Sequence, residues 1–395
     1  MVRGEKMLNV ISTEKKPVKL WVSDPDAKTV EQMTNLANLP FTFKHVAIMP
    51  DAHAGYGMPI GGVLATEHVS IPNAVGVDIG CGMCAVKTSH KEIEIETLKK
   101  IMQGIRDIVP VGFSHQSKKQ DVSLMPSIPR FGLPTVIVRQ YEAALSQLGT
   151  LGGGNHFIEI QKGSDGNIWV MIHSGSRNFG LKVAKHYNEL AIEINKKWFS
   201  NVAVPEKWEL AFLPLDSSEG QMYLGEMTYC VQFALANRKL MMDNILKVIS
   251  ANIGGNFEPM INIAHNYARM ENHFGENVMV HRKGATSAGE GQIGIIPGSQ
   301  GTKSYIVRGK GNVESFQSCS HGAGRRLGRK QAQRELNLVE EQKALNEKGI
   351  IHSVRQIEDL DEAPGAYKDI DVVMKNQEDL VDKVVELSPL AVVKG

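Results

Sequence analysis

The sequence predicts an α+β fold built on mixed sheets. Short apolar, β-branched runs and segments of helical period are interspersed along it, and they never settle into the strand–helix–strand rhythm of a doubly wound sheet. Several of the apolar runs also close on a histidine or a glycine-rich turn, the place where α/β proteins gather site residues. At 395 residues the chain can bury an ample core as one large domain or two ordinary ones. No internal repeat, low-complexity tract or linker divides it, so one domain spanning 1–395 is expected.

In chain order, residues 29–38 read as a short helix capped by Thr29. Phe43–Met49 reads as a strand delivering the polar loop that begins at Asp51. Val63–Val69 and Ala85–Lys87 are further strands, separated by the glycine-rich segment Gly76–Gly82. Helical spacing appears over 91–105 and again over 134–147, with the polar segment Ser114–Pro129 between them as a surface loop or mobile lid. Trp169–His173 and Ile261–His265 are short strands ending on histidine. The strongest helices are 180–197, 220–249 and 323–346, and 198–219 is a loop containing proline and tryptophan.

Hydrophobic residues make up 42% and charged residues 22%, the balance of a soluble globular protein. The formal net charge is only +1, so attraction to a polyanion would have to come from a local basic surface. No apolar run approaches a membrane span, and the start carries no signal-peptide core. Four scattered cysteines do not make a disulfide framework in a chain of this size, and a cytoplasmic setting is expected.

Asp78-Ile79-Gly80-Cys81-Gly82 places a carboxylate and a thiol three residues apart among glycines, which let the backbone turn tightly enough for both to converge. A thiolate can bind one metal or bridge two, and a carboxylate adds a hard oxygen ligand. His156, His173 and His265, each beside a turn or strand end, complete a possible mixed O/N/S metal site. With 13 histidines present, any one of them taken singly is more often a surface or core residue. Cys81 and Cys84 also spell C-x-x-C, but no second such pair and no thioredoxin-like pattern accompany it, so Cys84 is read as core.

No G-x-x-x-x-G-K-S/T phosphate loop is present; Gly298–Ser304 breaks the spacing. Gly289–Gly294 matches G-x-G-x-x-G but runs into a strand rather than a helix. The lysine nucleophile motif of lysine-dependent nucleic-acid ligases is absent. Ser320-His321-Gly322-Ala323-Gly324-Arg325 opens the basic segment 323–346, so His321 is expected at a helix start, with Arg325 four residues on and on the same face. An imidazole there could attack an α-phosphate to give a phosphoramidate. It could equally be a cap histidine. Arg326, Arg329, Lys330 and Arg334 would continue as a solvated face or an RNA track, with Lys303, Arg308 and Lys310 as weaker candidates for the same role.

Taken together the chain resembles the RtcB family of RNA-splicing ligases from about residue 20 to its last residue. The blocks that carry the resemblance are Met49-Pro50-Asp51-Ala52-His53, Val77–Met83, Gly149–Phe157, His173–Arg177, His281–Thr286, Ile296–Ser299, His321–Arg325, Glu362–Asp371 and the final Lys394-Gly395. So many ordered matches are far more specific than any one motif. Cys84 as an extra thiol and Asn178-Phe179 after the His173–Arg177 block are departures that touch no expected ligand.

The resemblance implies a catalytic domain with peripheral helices around a central metal and nucleotide cleft. It implies two manganese ions bridged by Cys81, one held also by His173 and His265 and the other by Asp78 and His156. His321 would become guanylylated by GTP, with Arg325 beside it. Asn155, Asn266 and Arg325 would contact phosphates, and Glu159, Ser299, Tyr367 and Lys394 would shape the guanine pocket, which an extended C-terminus could disturb. The implied substrate is RNA with a 3′-phosphate or 2′,3′-cyclic phosphate and a 5′-hydroxyl. The rival readings are a metal-dependent phosphatase or nuclease that needs no GTP, and a non-catalytic RNA-binding factor.

Overall fold

Two mixed or antiparallel sheets with helices on their outer faces account for the site's position. The structure, a computed structural model, describes residues 7–128, 135–197 and 204–395. The first sheet has six strands in the order Asn9–Ile11, Val18–Leu20, Thr42–His53, Ile60–Thr66, Glu276–Lys283 and Asn266–His273. The second has seven, in the order Ile261–Ala264, Gly82–Lys87, Ile168–Ser174, Phe157–Gly163, Val381–Lys394, Ser304–Gly309 and Ile293–Ile296. Apart from one parallel pair in the first sheet, Val18–Leu20 beside Thr42–His53, neighbouring strands run antiparallel. The expected α+β class is what the chain adopts.

Strand alternation sorts the second sheet's side chains into two cores. Cys84, Val86, Ile158, Ile160, Val170 and Ile172 face the helices Ile95–Ile108 and Ser218–Ile253. Met83, Ala85, Phe157, Met171 and Val392 face the opposite way, toward Leu345 and Leu360. Cys84 is therefore core, as expected, and burial pushes its thiol up to about 12. The helices Val136–Gln147, Asn178–Lys197 and Ser218–Ile253 pack as a bundle over Val75 and Ile79, just before the metal-ligand turn.

Several boundaries differ from expectation for local reasons. The first helix runs Ala27–Ala37 and is capped by Asp26, which accepts from the Thr29 N–H and hydroxyl, so Thr29 is an interior residue of the first turn. Val63–Val69 is divided: one strand ends at Thr66, His68 takes φ +62°, and a short strand restarts at Val69. The helix expected over 91–105 starts at Ile95 and runs to Ile108. Within 114–129, Val122–Leu124 is a 3-10 turn; residue 129, residue 134 at the start of the 134–147 helix, and 198–203 of the 198–219 loop lie outside the described residues.

The largest correction concerns 323–346, which is not one helix. Residues 321–328 form an irregular loop whose backbone is spent elsewhere: the Arg326 and Leu327 N–H groups donate to the Ala366 carbonyl, and the Gly324 carbonyl accepts from Lys368. Helix begins only at Arg329, after Gly328, stops at Glu335, and restarts at Leu338 under an Asn337 cap. Gly324 has φ +75°, and a Cβ there would lie 2.1 Å from the Asp51 carbonyl oxygen, so this approach requires glycine. His321 is therefore not at a helix N-terminus, and Arg325 is not one helical turn beyond it.

A buried ion pair ties the first sheet to the strand that leads into His321. Arg282 is fully buried and donates to Glu271, to the Ser318 hydroxyl (2.9 Å) and to the Phe316 carbonyl (2.9 Å). Burial alone would raise the Glu271 carboxyl, but hydrogen bonds from His273 and Arg282 hold it far below the ordinary range. A depressed carboxyl stabilises the fold above its unfolded pKa, about 4.3. That contribution fades as pH falls through the folded value. Arg282→Met should cost about 3–5 kcal/mol in urea unfolding at neutral pH, because it strands a buried carboxylate. The gap to the unsubstituted protein should narrow below about pH 4; a gap independent of pH would remove this account.

Candidate functional site

Residues far apart in sequence meet at one end of the second sheet because of strand order. Cys81 immediately precedes strand Gly82–Lys87, His173 lies near the end of the antiparallel neighbour paired to it, and His156 immediately precedes the next strand over. On the other side, Ala264 pairs with Gly82, which brings His265 beside Cys81. The register thus lines up all five expected metal ligands, Asp78 arriving on the same turn as Cys81.

Two triads result, Cys81 with His173 and His265, and Asp78 with Cys81 and His156, each with its donor atoms within 4.8 Å of one another. The Cys81 Sγ lies 3.2 Å from His173 Nε2 and 3.5 Å from His156 Nε2, and the Nε2 atoms of His173 and His265 are 3.4 Å apart. Cys81 belongs to both triads, the arrangement a bridging thiolate needs.

The protonation pattern fits cations at both positions. His156 and His173 place Nδ1 against the carbonyls of Leu151 (2.9 Å) and Asn155 (3.1 Å), contacts that only an N–H can satisfy. In their neutral forms Nε2 then presents a lone pair to the cluster, the usual support for a ligating imidazole. Burial, followed by neighbouring histidines, pushes His173 and His265 well below the ordinary value, so they are held neutral. His156 Nε2 meets Asp78 Oδ2 at 3.0 Å, a contact that is bridged either by a proton on Nε2 or by a cation held between the two. Burial and the Asp78 carboxylate push the Cys81 thiol well above its usual range, and a coordinated cation reverses that by stabilising the thiolate.

The turns carrying these ligands are gripped from behind by Asn237 and Arg238, both fully buried at mid-length of helix Ser218–Ile253. Arg238 donates to the carbonyls of Gly80 (3.0 Å) and Ser174 (2.7 Å) and to the Asn262 side chain (2.8 Å). Asn237 accepts from the Gly149 and Thr150 N–H groups and donates to the Thr150 and Gly175 carbonyls. Gly175 is needed for closeness, since a Cβ there would fall 2.2 Å from Asp78 Oδ1. Sequence reading missed this pair; two polar residues within a strongly helical segment were the only signal.

A cavity of about 590 Å³ adjoins the metal cluster, within the range of small-ligand sites. Of the expected nucleotide residues, Asn155, Glu159, Ser299, His321, Arg325, Tyr367 and Lys394 all line it. Asn266 does not. Its amide donates to the Asp78 carbonyl (3.0 Å) and accepts from the Gly284 N–H (2.7 Å), spending it on the scaffold. Burial pushes the Glu159 carboxyl up to about 8, against the pull of Lys394.

Asp51, fully buried, fixes His321. Its Oδ2 accepts from the backbone N–H groups of His321 (3.1 Å) and Gly322 (3.2 Å) and lies 2.6 Å from His321 Nδ1. With Nδ1–H donated to the carboxylate, Nε2 keeps its lone pair, and among the described residues it has no hydrogen-bond partner. The His321 ring stands 4.7 Å, centroid to centroid, from that of His265. A second carboxylate, Glu362, collects the cationic wall: it pairs with Arg325 (3.1 Å), Arg329 (2.7 Å) and Lys394 (3.0 Å) and accepts from the Tyr367 hydroxyl. Burial opposes ionisation, but these cations hold Glu362 at about 2. Lys303 and Lys310, by contrast, are paired at the surface with Glu386 and Asp382.

Arg238→Met should weaken divalent-metal binding about 10- to 100-fold, read by manganese titration, because it frees the ligand turns without removing a ligand. Unchanged affinity would show that the turns hold themselves.

These features agree with the comparisons. The family model described as tRNA-splicing ligase RtcB matches residues 32–130 and 129–395. The RNA-splicing ligase RtcB of Escherichia coli (strain K12) is 39% identical, over 98% of this chain and 99% of its own length. The tRNA-splicing ligase RtcB of Thermococcus kodakarensis is 32% identical over 93% of this chain and 91% of its own. The RNA-splicing ligase RtcB of Mycobacterium tuberculosis is 32% identical over 92% and 100%. With the match running nearly end to end and the cysteine–histidine cluster assembled as described, the chain belongs to the RtcB family.

Proposed function

We propose that this protein is an RNA ligase that joins an RNA 3′-phosphate or 2′,3′-cyclic phosphate end to a 5′-hydroxyl end, consuming GTP and using two manganese ions. The observation that carries this reading is the placement of His321. Its Nδ1 is tied to a buried carboxylate, its Nε2 is free, and it stands at the wall shared by the cavity and the metal cluster. A hydrolase built on the same ligands would use that imidazole as a general acid or base and would form no covalent nucleotide adduct, so the adduct separates the two readings.

Cys81, His173 and His265 would hold one ion and Asp78, Cys81 and His156 the other. When bound, the ions supply charge neutralisation on phosphoryl oxygens. The residues of the chain do the rest. Asp51 holds the Nδ1 proton and orients the ring, leaving the Nε2 lone pair to attack the α-phosphorus of GTP. The N–P bond forms as the bond to pyrophosphate breaks, and the positive charge gained by the imidazole is balanced by Asp51. A 2′,3′-cyclic phosphate is first opened by water, which breaks the bond to the 2′-oxygen; an oxygen of the RNA 3′-phosphate then attacks the phosphorus of the GMP as the N–P bond breaks, regenerating His321. The 5′-hydroxyl oxygen then attacks that 3′-phosphorus and GMP leaves. Arg325 and Arg329, held in place by Glu362, would form the cationic wall along which phosphates sit, while Glu159, Ser299, Tyr367 and Lys394 would shape the base pocket. Phosphoryl transfer of this kind depends mostly on positioning and charge.

Among the described residues no helix is long and apolar enough to cross a membrane. All four cysteines are free and buried, which fits the expected cytoplasmic setting.

Incubation with α-labelled GTP and manganese should yield a covalent GMP adduct, absent with ATP. The adduct should vanish in His321→Ala and form at least about 100-fold more slowly in Asp51→Asn, the loss typical of a misplaced acid–base partner. Label retained in His321→Ala would remove the assigned nucleophile. Cys81→Ala should lose metal and adduct together; full manganese occupancy in that variant would contradict the bridging role.

A further inference from the structure

Beyond the His321 cavity lies a second concavity of about 620 Å³ that shares Lys394 with it. Two arginines face each other there, Arg106 from the last turn of helix Ile95–Ile108 and Arg355 from the loop after Val354. Among the described residues neither guanidinium has a hydrogen bond or ion pair. Burial and the charge of Arg355 both work against the charge on Arg106. The acid in the wall, Asp359, pairs with neither guanidinium: its Oδ2 accepts from the backbone N–H groups of Arg355 (2.8 Å) and Gln356 (3.0 Å). Two guanidiniums in one concavity, neither hydrogen-bonded to the acid in its wall, leave their donors open to an anion with more than one oxygen to offer, and a guanidinium pairs best with phosphate.

A second feature stands at the rim. Phe113, flanked by the wall residues Val111 and Ser114, is completely exposed, at 101% of its reference area. The loop that presents it is nonetheless fixed. The Gly112 N–H donates to the Gly152 carbonyl (2.8 Å), the Pro110 carbonyl accepts from Leu151 (2.9 Å), and Arg177 donates to the Gly112 carbonyl (3.1 Å). A rigid loop that offers an uncovered aromatic ring beside two unpaired guanidiniums has the two parts of a single-strand nucleic-acid track, cationic groups for the backbone and a π-face for a base.

We propose that this second concavity is an RNA subsite, in which Arg106 and Arg355 take backbone phosphates and Phe113 stacks a base of the strand running past Lys394 toward His321. The inference rests on the ligase reading and adds to it the path of one RNA arm. It makes the site selective for strands long enough to reach both concavities, while very short RNA engages the His321 cavity alone.

The test is titration of fluorescent single-stranded RNA ending in a 3′-phosphate, at several salt concentrations, against Arg106→Gln/Arg355→Gln and Phe113→Ala. GMP adduct formation without RNA is measured in parallel. Losing two phosphate contacts should reduce the slope of log affinity against log salt by about 1.4. Losing the stack should weaken binding about fivefold or more. A dinucleotide should bind all variants alike, and GMP label on His321 should be unchanged in every one. Unchanged RNA affinity and salt slope in the variants would overturn the subsite while leaving the ligase reading intact. Absence of label in the unsubstituted protein would overturn the ligase reading instead, and the RNA titration would still decide the subsite.

Discussion

Asn237 and Arg238, adjacent on one helix and fully buried, hold together what the rest of the site assumes. The ligand turns come from four separate stretches of chain, and strand register brings them to one end of a sheet without fixing their exact depth. The hydrogen bonds from this pair reach Gly80 beside Cys81, Ser174 beside His173, Asn262 three residues before His265, and the Gly149-Thr150 turn that leads to His156. A buried guanidinium is costly unless its donors are used; Nη1 of Arg238 is spent on the Gly80 and Ser174 carbonyls and Nε on the Asn262 side chain, while Nη2 has no partner among the described residues. The helix thereby converts its own rigidity into ligand geometry. The same pairing explains why the helix is so long: both residues sit near its middle, with packed turns on either side to keep them from shifting.

Two carboxylates perform the corresponding task for the phosphate-handling side. Asp51 gathers three contacts from His321 and Gly322 on its Oδ2 and Glu362 is ringed by cations, and each holds side chains that would otherwise be mobile at the edge of a cavity. Glu362 gathers two arginines, a lysine and a tyrosine, which would repel or drift apart without it. Gathering them means that bound phosphate meets cations whose charge is already partly balanced. Such a wall can take a phosphate and later release it, whereas an unbalanced one would hold it too tightly for turnover.

Much of this was legible in the sequence, and the parts that were not share a cause. Cys81, Asp78 and the three histidines could be singled out because ligand types beside glycine turns are a local pattern, and antiparallel register then had to bring them together. The interspersed strands and helices were likewise local, which is why the α+β class was readable. What escaped is long-range. Asp51 lies 270 positions from the imidazole it orients, and Arg238 lies 158 from the Gly80 carbonyl it holds. The reading of 323–346 as one helix failed for the same reason. Its charged, alanine-containing composition favours helix, but residues 324–327 are hydrogen-bonded to the segment around Ala366 and Tyr367, and tertiary pairing overrides a weak propensity.

That failure changes the physical account of His321, the proposed nucleophile. At a helix start, His321 would sit among amide groups pointing at bound anions, and the helix dipole would share in stabilising the transferred phosphate. In the loop it actually occupies, the backbone N–H groups of His321 and Gly322 point at Asp51 instead. They stabilise the carboxylate that holds the imidazole and are unavailable to the substrate. On the proposed reading, charge developing on the phosphate must then be met by side chains and by whatever cations the Asp78–Cys81–histidine cluster holds. On the proposed reading the loop thus separates two roles that a helix N-terminus would combine: backbone donors fix His321 through Asp51, and the cluster beside His265 is left to meet the phosphate charge. This division accounts for the nucleophile and the metal ligands lying side by side, 4.7 Å apart between the rings of His321 and His265.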